Sequence, residues 1–216
     1  MSLSTPTLSR RHVLAAAALL AAGPVWAEKA PSGKFAVDEL MAENALPDIV
    51  QGKADAPVTI VEYASMTCTH CAAFHNEVYP ALKKDFIETG KVRFILREFP
   101  FDPWAAAAFM LARAMDDKRD AVVDLLFAQQ KSWAFGEKPL DALAGVLKQT
   151  GLSQEKFDAT LKDHALYEKV AKVRDRAAQK FGVNSTPTFF INGEKYSGEI
   201  GVADLDKIIA AKSAAK

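Results

Sequence analysis

The two cysteines of this sequence lie three residues apart, and they are the residues best suited to chemistry. They form the motif Cys68-Thr69-His70-Cys71, and the chain contains no other cysteine, so each is the other's only disulfide partner within the chain. A zinc site made of cysteines alone needs more than two of them. Attachment of c-type haem needs a histidine at position 72, where the chain has alanine. The spacing therefore favours a redox-active pair over an inert structural disulfide.

The position of the motif predicts that its two thiols differ. It follows a predicted strand, Val58 to Ala64, and opens a predicted helix from about Cys68 to Ile87. The unpaired N–H groups and the dipole at a helix start favour an anion. We therefore expect a lowered pKa and a reactive thiolate at Cys68. Cys71 lies further into the helix, and we expect it to be the more buried, resolving thiol.

Two other side chains could assist the pair. A protonated His70 would add positive charge beside the thiolate, although it could also be an ordinary polar loop residue. Glu62 interrupts an apolar strand six residues before Cys68, and an ionised carboxylate is costly to bury. We expect Glu62 to lie beneath the cysteine pair and to relay the proton of the buried thiol. The alternative is an edge-facing or salt-bridged glutamate.

His75 raises the question of a metal, because it lies four residues after Cys71 on the same helix face. Two thiols and a histidine are ligands that suit a soft ion such as Cu(I). A solvated His75 is the interpretation we adopt, and we expect no metal site.

The first 27 residues are typical of a secretory signal. Arg10 and Arg11 precede a short apolar run from Val13 to Ala22, and Val25-Trp26-Ala27 predicts cleavage after Ala27. The run is too short to span a bilayer. The paired arginines favour the twin-arginine route over the Sec route. We therefore expect a bacterial, periplasmic protein in an oxidising compartment, where a close cysteine pair can form a disulfide.

Composition excludes several classes of function. The chain has 216 residues, half of them hydrophobic, which is ordinary for a globular protein. Lys plus Arg and Asp plus Glu both number 27, so no excess of charge predicts a nucleic-acid partner. Disorder and a disulfide-stapled miniature fold are also excluded.

The order of predicted elements is βαβ, then a helical block, then ββα. A lead-in at 28–54 contains a short amphipathic helix, and the long helix after Cys68 contains Pro80, where we expect a kink. A second strand runs from Val92 to Phe99. Residues from Pro103 to about Phe181 are mostly helical in pattern. The chain then forms a hairpin around Asn192-Gly193 and ends in an amphipathic helix. This is an α/β fold, and its hairpin must join the sheet of the first two strands.

The sequence resembles the DsbA family of thioredoxin-fold proteins over residues 55–213. The matching residues are Glu62, Cys68, His70, Cys71 and Thr186-Pro187. It departs from the most familiar pattern at Thr69, where proline is usual, and at Thr186, where valine is often found. The resemblance implies a thioredoxin-fold domain at 55–101 and 182–213 with an inserted helical subdomain at 102–181. It also implies a cis Pro187 which, with Thr186, binds substrate backbone by strand addition.

The function implied by this resemblance is an exported thiol:disulfide oxidoreductase. It would donate the Cys68–Cys71 disulfide to unfolded exported proteins with free thiols and be re-oxidised by a DsbB-like membrane partner. The disulfide itself would be the redox group, with no bound cofactor. Two alternatives remain open: a disulfide isomerase or reductase that is kept reduced, and a non-enzymatic peptide-binding chaperone or metal carrier.

Overall fold

The computed structural model describes residues 29–214. The predicted signal segment at 1–27, with its paired arginines and cleavage site, lies outside the described residues. The predicted order of elements, βαβ and then ββα with helices between, is confirmed within the described range.

A mixed six-stranded sheet forms the centre of the described structure, in the order β1-β6-β5-β3-β4-β2. The central pair, β3 and β4, is parallel, and β3 also pairs antiparallel with β5. The hairpin thus joins the first two strands, as predicted. The strands are β1 (Gly33–Lys34), β2 (Val50–Gln51), β3 (Val58–Ala64), β4 (Val92–Glu98), β5 (Thr188–Ile191) and β6 (Glu194–Ser197).

Ten α-helices surround the sheet in the described part of the chain. Six of them, α4 to α9, lie between β4 and β5. The α-helices are α1 (Val37–Met41), α2 (Thr69–Ala73), α3 (Tyr79–Leu82), α4 (Pro103–Arg113), α5 (Arg119–Ala128), α6 (Gln130–Trp133), α7 (Pro139–Lys148), α8 (Gln154–Leu161), α9 (His164–Phe181) and α10 (Val202–Ala214).

The helix at 69–87 is continuous but not uniform, and we call it the active-site helix. π-Helical segments at Phe74–Val78 and Lys83–Ile87 follow α2 and α3. The disturbance expected at Pro80 therefore takes the form of a wider turn just before α3, where the proline stands near the helix start. A π turn shifts the buried face by one residue, so that His75 and Tyr79 are buried as well as Phe74 and Leu82.

The edge strands come from the lead-in, which the sequence analysis did not predict to contain strands. β1 pairs with β6 and β2 pairs with β4. The chain turns through positive φ at both Asn192 and Gly193. The backbone that follows β1 passes close to this turn. A Cβ on Gly193 would lie 2.3 Å from the Phe35 carbonyl oxygen, so only glycine fits there.

Buried apolar side chains form two clusters, one on each face of the sheet. Along β3, Ile60 and Ala64 belong to the cluster beneath the active-site helix, whereas Val61 and Tyr63 belong to the other. Because side chains alternate along a strand, Glu62 faces the active-site helix. The first cluster also contains residues of α4, α5 and α7. The division into a core domain and an inserted subdomain at 102–181 stays a prediction.

Candidate active site

The cysteine motif lies where three segments of the chain meet. β3 ends at Ala64, a short loop follows, and Cys68 takes the N-cap position of α2. Pairing of Tyr63 with Thr188 places the start of β5 beside this loop. The Thr186-Pro187 bond just before β5 is cis, as predicted. The Cys68 thiol donates a hydrogen bond to the Thr186 carbonyl oxygen at 3.3 Å.

The two thiols have opposite electrostatic environments. A hydrogen bond from the Cys71 thiol is the largest cause that lowers the pKa of Cys68 to about 5, although partial burial opposes it. The backbone N–H groups of Cys71 and His70 lower this pKa further. Cys71 is fully buried, and burial raises its pKa well above the ordinary value. Cys71 is thus the more buried thiol, as expected, and the roles of nucleophilic and resolving thiol stay a prediction.

The His70 side chain binds a carboxylate. Its Nδ1 lies 2.5 Å from Oε1 of Glu199, in the loop between β6 and α10. This hydrogen bond raises the pKa of His70, with a smaller contribution from Cys68. The direct contact that His70 makes with the thiolate is through its backbone N–H. Sequence reasoning missed Glu199, which is 129 residues away along the chain.

Glu62 of β3 and His75 of the active-site helix form a buried pair between the sheet and that helix. Glu62 is fully buried, and its Oε2 lies 2.9 Å from His75 Nε2. The expectation of a solvated His75 was wrong: the residue is 6% exposed and its ring stacks on Phe127 at 4.2 Å. His75 lies on the same helix face as the buried Cys71, and Glu62 supplies the polar partner that allows its ring to be buried. Glu62 is also one of the causes that raise the pKa of Cys71.

Comparisons with known proteins agree with this geometry. Residues 44–211 match a family model described as thioredoxin. A Rickettsia bellii protein named as a protein-disulfide oxidoreductase is 31% identical over 188 residues, which is 84% of this chain and 71% of that protein. The chain belongs to the DsbA-like thiol:disulfide oxidoreductase family. Its enzyme class is accordingly protein dithiol:disulfide oxidoreductase.

Solved structures of DsbA-like proteins have the same fold. Wolbachia pipientis α-DsbA1 is similar with a TM-score of 0.76 and 28% identity, over 82% of this chain and 96% of that one. BdbD from Bacillus subtilis is similar with a TM-score of 0.67 and 25% identity, over 77% of this chain and 93% of that one. The chain spans only 53–57% of the length of several other Rickettsia relatives.

In this DsbA-like chain, residues between β4 and β5 hold the loop at 65–68, which we call the catalytic loop because it leads to the proposed nucleophile, in place. The Gln130 side chain donates to the carbonyl oxygens of Met66 and Cys68, both at 2.9 Å. The Thr67 hydroxyl donates to Asp102, which also caps α4. The sequence carried no signal for these contacts, since the partners lie 35 to 64 residues apart.

Among residues 29–214 there is no cluster of three or more His, Cys, Asp or Glu side chains that could hold a metal ion. Over the same range, no helix is both long and apolar enough to cross a bilayer.

Proposed function

We propose that this DsbA-like chain is an exported oxidase that donates a Cys68–Cys71 disulfide to newly translocated proteins. The observation that carries the proposal is the geometry of the pair: Cys68 takes the N-cap position of α2 in contact with Thr186, and Cys71 is fully buried. This geometry lowers the pKa of Cys68 to about 5 and raises the pKa of Cys71. A stabilised Cys68 thiolate favours the reduced pair, so the disulfide is a strong oxidant. The signal-like segment at 1–27 supports export to the periplasm.

The reaction follows from the different exposure of the two sulfurs. A substrate thiolate attacks Cys68 Sγ, which is accessible, and the bond to Cys71 breaks. This gives a mixed disulfide and a Cys71 thiolate, which takes up a proton. A second substrate thiolate then attacks the substrate sulfur and expels Cys68 as a thiolate. The substrate loses two electrons to the cysteine pair, and its disulfide forms.

Glu62 is the proposed donor of the proton that Cys71 requires. It is fully buried on the sheet face beneath the active-site helix, and one of its carboxylate oxygens, Oε1, has no hydrogen-bond partner among the described residues. The other oxygen binds His75, which fixes the orientation of the carboxyl group. Thr186 and Pro187 are the proposed binding edge for the extended backbone of an unfolded substrate. A DsbB-like membrane protein is the proposed re-oxidant.

The decisive experiment traps the redox state of Cys68 and Cys71 in living cells by acid quenching and alkylation. An oxidase should be mostly oxidised. A mostly reduced pair would reject the oxidising direction and favour an isomerase or reductase. A Cys68→Ser, Cys71→Ser variant that retained full function in cells would reject both and favour a peptide-binding chaperone.

A further inference from the structure

The loop between β6 and α10 carries a carboxylate that reaches the cysteine motif. The Glu199 and His70 side chains are 61% and 65% exposed, yet Glu199 Oε1 and His70 Nδ1 lie 2.5 Å apart. Exposed ion pairs on mobile side chains usually contribute little, because ordering both chains opposes the attraction. Something must therefore hold this pair in place.

The backbone around Glu199 is anchored on both sides. The Gly198 N–H donates to the Pro187 carbonyl oxygen at 2.8 Å, which ties the loop to the cis-proline edge. Ile200 is 2% exposed and belongs to the core cluster beneath the active-site helix. The Glu199 carbonyl oxygen also accepts a hydrogen bond from the Lys29 ammonium group. The carboxylate is thus presented to His70 by a fixed stretch of backbone.

We propose that Glu199 is a positioning residue that holds the His70 imidazolium beside Cys68 and couples the cis-proline loop to the cysteine motif. This deepens the proposed function, on which its role in catalysis rests. An isolated histidine loses its charge near pH 6.5. With Glu199 in place, the catalytic sulfur keeps a cationic neighbour to higher pH.

The surroundings of His70 contain several other charges. Cys68 lies on its own helix and contributes to its raised pKa. Glu77, further along the active-site helix than His70, lines the same surface cavity as Glu199. Lys29 interacts electrostatically with both Asp204 and Glu199. Of these groups, Glu199 is the one that shares a hydrogen bond with the His70 ring.

The first test is an NMR titration of the His70 ring in reduced full-length mature protein. Glu199→Gln keeps the shape of the side chain but removes its charge. We expect the His70 midpoint to move to lower pH by about half a unit, the size typical of an exposed ion pair. Asp206→Asn, an exposed charge change on α10, is the matched control. An unchanged midpoint in Glu199→Gln, or an equal shift in the control, overturns the inference.

The second test measures the equilibrium with glutathione from pH 5.5 to pH 8.5. Between the two His70 midpoints, a larger fraction of the wild type than of Glu199→Gln carries the imidazolium. There, the equilibrium constant for glutathione oxidation by the wild type, relative to Glu199→Gln, should be larger than below both midpoints by up to about threefold, the limit that a half-unit shift sets. In a His70→Ala background this pH-dependent ratio should be flat. If it is not flat, Glu199 acts independently of His70 and the inference fails.

Both readouts are distinguishable from a failure of the proposed function. Ring titration and the glutathione equilibrium measure the site itself. A pair found reduced in cells would overturn the oxidising direction and leave both measurements to decide the role of Glu199.

Discussion

At Cys68 and Cys71, identical thiols differ because Cys68 stands at the start of α2, whereas Cys71 lies within its first turn and is fully buried. The Cys71 thiol donates to the neighbouring sulfur, and this hydrogen bond is the largest cause of the low pKa of Cys68. The burial that prevents Cys71 from ionising thus keeps it available as a donor. The asymmetry is a property of the pair.

Cys71→Ala should therefore raise the pKa of Cys68. The loss of a hydrogen bond to a charged group corresponds to about one to two pH units. Cys71→Ser retains a hydroxyl donor at the same position and should leave the pKa low. Ultraviolet absorbance of the thiolate as a function of pH measures both. Equal titration curves for the two variants would show that the donor at residue 71 is unimportant.

Glu62→Gln tests the proposed proton transfer to Cys71. The amide fills the same space but cannot supply the proton, so we expect thiol exchange to slow by roughly two to four orders of magnitude. Rapid-mixing kinetics with a dithiol peptide measure the rate, and chemical unfolding checks that the fold is retained. Glu77→Gln, an exposed change on the same helix, should exchange at the wild-type rate. An unchanged rate in Glu62→Gln would exclude a relay through this carboxylate.

Single residues were predictable where a local pattern dictated their environment. The apolar strand around Glu62 favoured its burial over an edge-facing position, and the helix start favoured Cys68 as the more acidic thiol. His75 was misplaced because no helical spacing identifies its buried partner, Glu62, which lies on β3, 13 residues earlier in the chain. The partner of His70 was missed because no local pattern relates residues 129 positions apart.

At the scale of elements, α6 holds the catalytic loop in place through hydrogen bonds from Gln130. Gln130, in α6, is 3% exposed and bonds two carbonyl oxygens of the loop. α5, which precedes it, packs against the π-helical segment Phe74–Val78. The helical block thus contributes to the geometry of the site as well as to the core.

Gln130→Ala should lower the free energy of unfolding by about 1–3 kcal/mol, because two buried hydrogen bonds are lost. Urea denaturation measures this change. Amide hydrogen exchange in the loop at 65–68 should be faster in Gln130→Ala than in the wild type. Gln129→Ala, at the adjacent and less buried position, should change the stability by less than about 0.5 kcal/mol. If both variants were equally stable, the loop would not depend on Gln130.

The main elements followed from their patterns, and the small ones did not. β3 was predicted with its observed bounds because a β-branched run between turn residues has few alternatives. The Asn192-Gly193 turn likewise indicated its hairpin. β1 and β2 have two residues each, too few for any periodicity. They exist because neighbouring strands offer them unpaired edges.

For the whole molecule, the low pKa of Cys68 links stability to pH. Between pH 5 and pH 9 the unfolded chain binds a proton at Cys68 that the folded, reduced protein does not. Stability of the reduced protein should therefore rise with pH over this window, and it should be lost as the pH falls towards 5. The slope is at most about 1.4 kcal/mol per pH unit. Solvent screening reduces it, because Cys68 is partly exposed.

Urea unfolding of the reduced protein at several pH values measures this slope, with Cys68→Ser as the reference that removes the thiolate. The difference between the two proteins should grow from pH 5 to pH 9. Above about pH 9, the raised pKa of Cys71 lowers the stability of each protein as the pH rises. The unfolded chain then ionises a thiol that the folded chain keeps protonated. A difference independent of pH would contradict an acidic Cys68.

The contact between Cys68 and Thr186 joins residues 118 positions apart. A ribosome that has made both cysteines still has more than half of the chain to synthesise before the opposite wall of the site exists. A half-made chain would carry both thiols but would lack the Thr186 carbonyl, Pro187 and the Glu199 carboxylate. Fragments that end before β5 should therefore behave as ordinary dithiol peptides.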